Sequence, residues 1–149
     1  MKKFYRSFTY ALKGIKELYK SQRNFRIQTN IGLLVMIMAF LLDLPGNEIM
    51  WLSFATMIVL VMEGLNTTIE KIMDFINPDY NPVVGIIKDI SAAMVLIAAV
   101  FSVVIGIVIF GNAIFGLSSR YGIIIAIIFL ASIKLFSREK GGKGSGKDD

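Results

Sequence analysis

The 149-residue chain contains no cysteine and no histidine. Without cysteine there is no disulfide and no thiolate metal site. Without histidine, the commonest general base and the commonest transition-metal ligand are both missing. Charged residues make up only 18% of the chain, too few polar groups to cover the surface of a soluble domain this size. The length allows one compact unit. What remains for chemistry is carboxylates, amides, lysines and tyrosines. A metal held by carboxylates would be Mg²⁺ or a similar hard cation. A general base would be Asp or Glu, ahead of Lys or Tyr.

The chain is rich in apolar residues, 55% of the total, with a mean hydropathy of +0.66. This composition predicts a multi-spanning integral membrane protein, an all-α membrane helical bundle. The net charge of +5 is unevenly placed, with eight of the sixteen Lys and Arg in the first 26 residues. That layout points to an anionic membrane surface or to phosphate, and not to nucleic acid.

Residues 1–26 read as an amphipathic interfacial helix. Phe4, Phe8, Ala11, Leu12, Ile15, Leu18 and Tyr19 share one arc at 100° per residue, and the basic residues share the other. No apolar run precedes residue 31, so a signal peptide is not expected. A three-span core is expected over residues 27–110. Its apolar runs are about Ile31 to Leu44, Ile49 to Met62 and Ile90 to Phe110. Residues 43–48 read as a turn, and Asn77-Pro78 and Asn81-Pro82 as helix breaks. Gly111 to Arg120 reads as a loop, and Tyr121 to Phe136 as a fourth, shorter span within an extra segment 111–136. The basic tail 137–149 is expected to be disordered. With four spans and a cytoplasmic N-terminus, only Arg120 of the sixteen basic residues falls outside, as the positive-inside rule requires.

The densest polar cluster runs from Glu63 to Asp89. Glu63, Asn66, Thr67, Glu70 and Asp74 fall within about 100° on a helical wheel. Three carboxylates and an amide thus line one face at the end of a membrane helix. Charges there are costly unless they have partners or a function. Lys88-Asp89 opens the next helix and brings both signs of charge, followed by the small residues Ser91, Ala92 and Ala93. Solvated headgroup-layer charges suffice to explain Lys71 and Asp79. They do not explain Glu63, which follows Val59, Leu60, Val61 and Met62 without a break. Asp74 suits binding of a basic residue in the loop or the surface helix. There is no Walker A motif, no protein-kinase signature and no Ser-His pair. Carboxylates, Asn and Lys beside lipid can hold Mg²⁺ on a nucleotide, neutralise phosphate and take a proton from a hydroxyl.

The pattern Glu63-x-x-Asn66-Thr67-x-x-Glu70-x-x-x-Asp74, then Lys88-Asp89-x-x-Ala92-Ala93, resembles the prokaryotic diacylglycerol kinase family, which includes undecaprenol kinases. Tyr10-x-x-Lys13-Gly14 and Asn24-Phe25-Arg26 extend the resemblance over about residues 5 to 108. It implies a homotrimer with composite sites, transferring the γ-phosphate of ATP to a lipid hydroxyl. Glu63 would correspond to the general base, and Asn66 would orient the base or the substrate. Glu70 would hold Mg²⁺ on the nucleotide, Lys88 would contact phosphate, and Asp89 the nucleotide. Arg6 and Tyr10 would approach ATP, or else only anchor the surface helix. One departure stands out. Gln22 occupies a position where a metal-binding Glu is usual, and it is a neutral and weaker ligand.

The resemblance implies a multi-pass enzyme of the cell membrane with its N-terminus and active site in the cytoplasm. Its partners would be ATP, the bilayer and a membrane lipid alcohol, undecaprenol before diacylglycerol. A small cation-binding membrane protein or transporter would use the same carboxylates, but its site usually lies near mid-membrane. An inactive scaffold is the third reading, suggested by Gln22.

Overall fold

The structure, a computed structural model, describes residues 2–79 and 81–139, with side chains from 3 to 136 apart from Tyr80. It is all-helical among these residues. The five helices are α1 (Lys2–Ser21), α2 (Arg23–Leu41), α3 (Gly46–Ile76), α4 (Pro82–Phe115) and α5 (Arg120–Glu139). Three of them, α2, α3 and α4, are long and apolar enough to cross a membrane. Their exposed faces carry large apolar side chains, among them Leu33, Phe54 and Leu96. Lipid would solvate these faces, where water would not. The tail from residue 140 lies outside the described residues.

α1 and α2 are separate helices because Gln22 adopts an extended conformation between them. The Arg26 guanidinium reaches back and donates to the carbonyls of Tyr19 (3.1 Å) and Lys20 (2.8 Å). A cation thus satisfies the last carbonyls of α1 and favours their partial negative charge. Phe25, beside it, is buried. Phe25 and Arg26 of the Asn24-Phe25-Arg26 stretch therefore each have a structural role. Residues 23–26 belong to the first turn of α2 and not to the surface helix.

α2 closes with the Leu44 N–H on the Ala39 carbonyl (3.2 Å), and Asp43 takes φ 49°. This is the left-handed closing position that Gly usually fills and Asp tolerates better than most residues. α3 then starts at Gly46, earlier than the turn expected over 43–48. α2 packs closely on α3 at Gly32, where a Cβ would collide with the Thr56 methyl group.

α3 is 31 residues long, about 46 Å at 1.5 Å per residue. Glu63 therefore stands about 26 Å along it, close to the far edge of a ~30 Å hydrocarbon core. The polar remainder of α3 extends past that edge. α4 begins at Pro82, directly after the Asn81 break, so Lys88 and Asp89 lie in its second turn and do not open it. Asn81 accepts the Val83 N–H (2.9 Å) as an N-cap, and Pro82 takes the first helical position, where its missing N–H costs nothing.

Residues 1–102 and 103–149 form two compact units. In the first, Ser102 Oγ lies 2.8 Å from the Ala55 carbonyl, so small residues let α4 approach α3. In the second, α4 continues through Gly111 to Phe115 instead of ending in a loop. Gly116, with φ 64°, closes it by a pair of hydrogen bonds. Its own N–H meets Asn112 O at 2.9 Å, and Leu117 N–H meets Gly111 O at 3.1 Å. Only residues 116–119 separate it from α5. α5 then packs through Gly122 against Val104 and Val108.

Candidate active site

The face of α3 singled out by the helical wheel is the polar interior of the first unit. Glu63 is 3% exposed, Asn66 9% and Thr67 2%. Glu70 is half-buried and Asp74 exposed, so the face runs from a buried carboxylate to a wet one along three turns.

Two other helices supply its partners. From α2, the Gln28 side-chain N–H donates to Glu63 Oε2 at 3.2 Å. From α4, Ser91, itself buried, places its Oγ 2.6 Å from Asn66 Oδ1 and 2.8 Å from the Lys88 carbonyl. Asn66 in turn donates from Nδ2 to Glu70 Oε1 at 3.0 Å. A carboxylate only accepts, so Asn66 must present its N–H₂ to Glu70 and its oxygen to Ser91. The chain Ser91–Asn66–Glu70 therefore has one consistent direction. Asn66 orients Glu70; the partner of Glu63 is Gln28.

The other expected residues lie further out. Lys88 Nζ pairs with Asp74 Oδ1, so the basic partner of Asp74 comes from α4 and not from the loop or the surface helix. Asp89 is exposed. Arg6 and Tyr10 are exposed on α1, and Lys13 Nζ stands 5.8 Å from the centre of the Tyr10 ring. Gln22 is half-buried at the α1–α2 break. α1 is held near the site by Leu18, which lies against Gly64, and by an exposed Lys71–Glu17 pair (3.6 Å). Such an exposed pair contributes little by itself.

Sequence reasoning did not assign Gln28 and Ser91 their partners. Ser91 was visible only as a small residue at a helix contact. Gln28 reads in the sequence only as a possible substitute for Gln22 at the metal; in the structure its amide bonds Glu63, a proximity that depends on how α2 packs on α3.

Among the described residues there is no group of three or more His, Cys, Asp or Glu side chains that could hold a metal ion. The donor set still suits one particular metal use. Mg²⁺ keeps waters and binds through one or two carboxylates plus substrate phosphates, not in an all-protein cage. Glu70, a half-buried oxygen donor oriented by Asn66, fits that use.

The sequence profile of the prokaryotic diacylglycerol kinase family matches residues 9–110. A diacylglycerol kinase of Synechocystis sp. is 37% identical over 101 residues, covering 67% of this chain and 58% of that protein. The undecaprenol kinase of Bacillus subtilis is 34% identical over 112 residues, covering 74% of this chain and 89% of that one. A diacylglycerol kinase of Escherichia coli is 32% identical over 95 residues, covering 64% and 78%. The match thus spans under two thirds of the Synechocystis protein but most of the other two.

Proposed function

The chain belongs to the prokaryotic diacylglycerol kinase family, and from that membership we propose that it is a membrane lipid kinase moving the γ-phosphate of ATP to a lipid alcohol. The observation that carries the reading is the buried Glu63 carboxylate, held by Gln28 near the end of a membrane-length helix. A base at that depth can meet a hydroxyl anchored in lipid, while Glu70 and Lys88, further along, can meet a nucleotide from water.

In this mechanism Glu63 takes the proton of the acceptor hydroxyl as its oxygen attacks the γ-phosphorus. Asn66 and Ser91 fix Glu70, which would hold Mg²⁺ on the phosphates; the ion supplies charge neutralisation there. Lys88 would exchange Asp74 for phosphate, and Asp89, with Arg6 and Tyr10 from α1, would contact the nucleotide. Gln22 would add a neutral oxygen to the metal at most. The surface seat of α1, a cytoplasmic site and N-terminus and a homotrimer with shared sites go with this reading; a fourth span in α5, extra to it, rests on the placement of the basic residues alone. A reporter fused to the C-terminus should read as cytoplasmic, and the detergent-corrected mass should be three chains. An external reporter or a monomer mass would remove those features.

We take undecaprenol as the acceptor. The support is the undecaprenol kinase of Bacillus subtilis, 89% of whose length is covered; the diacylglycerol kinases among the relatives make diacylglycerol the competing acceptor. With both lipids at equal mole fraction in one set of proteoliposomes, undecaprenyl phosphate should predominate by about tenfold or more, a difference of about 1.4 kcal/mol in transition-state binding. Predominant phosphatidic acid would reverse the assignment.

A further inference from the structure

Two buried side-chain polar atoms among the described residues lack a hydrogen-bond partner: Gln28 Oε1 and Thr67 Oγ1. Both belong to neighbours of Glu63. Gln28 bonds its carboxylate, and Thr67 follows one turn later on the same helix. Buried polar groups are normally paired, so an orphan beside a buried carboxylate calls for a reason. Nothing else among the described residues supplies one for Gln28. An apolar residue in this apolar helix would leave no carbonyl oxygen unpartnered, and the only side-chain hydrogen bond Gln28 makes is the one to Glu63.

Resting on the lipid-kinase reading above, we propose that Gln28 is a positioning residue that serves Glu63 in both of its protonation states. Before transfer Glu63 is a carboxylate, which accepts only, and the amide offers it the N–H at 3.2 Å. In the transfer step the acceptor's O–H bond breaks and its proton goes to Glu63. The acceptor oxygen forms its bond to the γ-phosphorus, and the bond to the β–γ bridging oxygen breaks, leaving its electron pair on ADP. Glu63 is now a carboxylic acid and carries a donor. The unpartnered Gln28 Oε1 is the acceptor that donor needs, reached when the amide turns over about its terminal bond. The base is thus never left without a complementary group. A residue able only to donate would hold the carboxylate and oppose its protonation.

The test compares three substitutions in the full chain in proteoliposomes, each first checked for a folded, monodisperse protein in detergent. Gln28→Met keeps length and removes both functions. Gln28→Lys keeps a donor only. Gln28→His keeps one donor and one acceptor, as a neutral imidazole has both. Expected is a fall in kcat of roughly 10- to 100-fold for Gln28→Met, a part of what a general base supplies. Gln28→Lys should fall at least about tenfold, and Gln28→His should stay within about fivefold of wild type. KM for MgATP should stay within about twofold throughout, because the amide bonds Glu63 and not Glu70, the residue assigned to the nucleotide's metal. Gln28→Leu repeats the apolar arm should Gln28→Met not fold. An apolar variant with wild-type kcat, a Gln28→His variant as poor as Gln28→Met, or a loss expressed in KM for MgATP would each overturn the proposal. Wild-type protein inert toward every lipid alcohol would overturn the kinase reading itself, which sets that failure apart from the others.

Discussion

Glu63→Gln should lower lipid phosphorylation by roughly 10³-fold, within the range a general base supplies, in a protein that still folds. The change is isosteric. It keeps an oxygen that can accept the Gln28 N–H at the same place and removes the charge that takes the proton. The carboxylate is buried at 3% exposure and has a single side-chain partner, an amide from α2. Neutralising a buried charge held by a neutral group does not cost stability, and removing its desolvation penalty should if anything raise it. The signature is therefore a split: turnover lost, thermal midpoint equal or higher, KM for MgATP little changed. A purely structural Glu63 would give the opposite split. Turnover would stay near wild type, and any loss would track unfolding.

The second large effect concerns the nucleotide side. Glu70→Gln should cut kcat/KM for MgATP by roughly 100-fold or more. Losing a group that only orients a metal ligand typically costs about 10- to 100-fold, and losing the ligand itself should cost at least as much. Asn66→Ala belongs to that orienting class, because Asn66 Nδ2 holds Glu70 Oε1 at 3.0 Å. Ser91→Ala stands one step further out and should cost about tenfold or less. The effect should diminish from Glu70 through Asn66 to Ser91, following the hydrogen bonds outward to α4. The Mg²⁺ concentration for half-activity should rise most for Glu70→Gln, less for Asn66→Ala and least for Ser91→Ala. Gln22→Glu should lower it, because an anionic oxygen replaces a neutral one. An unchanged Mg²⁺ titration for Glu70→Gln would take that carboxylate off the metal, and for Gln22→Glu would take position 22 off it.

The residues behind these predictions differ in how far the sequence disclosed them. Glu63, Asn66, Thr67 and Glu70 were legible as one face because helical periodicity turns spacing into geometry, and the structure does bury the first three together. The helix ends at Asn77 and Pro82 were legible because proline acts locally. The continuation of α4 through Gly111 was not. Gly111 and Asn112 read as loop residues, yet the helix-closing glycine is Gly116, with φ 64°. Arg26 looked like a membrane-surface charge, and its work as a cap on α1 depends on the chain breaking at Gln22. Gln28 is the sharpest case. Titratable groups attract attention in a search for chemistry, whereas a neutral amide acquires a role only from what packs against it. Its distance from Glu63 along the chain, 35 residues, carries no local signal.

The most direct test is transfer of label from γ-labelled ATP, with Mg²⁺, by the purified chain in proteoliposomes containing undecaprenol. Label should enter the lipid extract in proportion to the added alcohol. Label remaining in ATP, or released only as inorganic phosphate, with undecaprenol and with diacylglycerol alike, would contradict lipid phosphorylation at the Glu63 site.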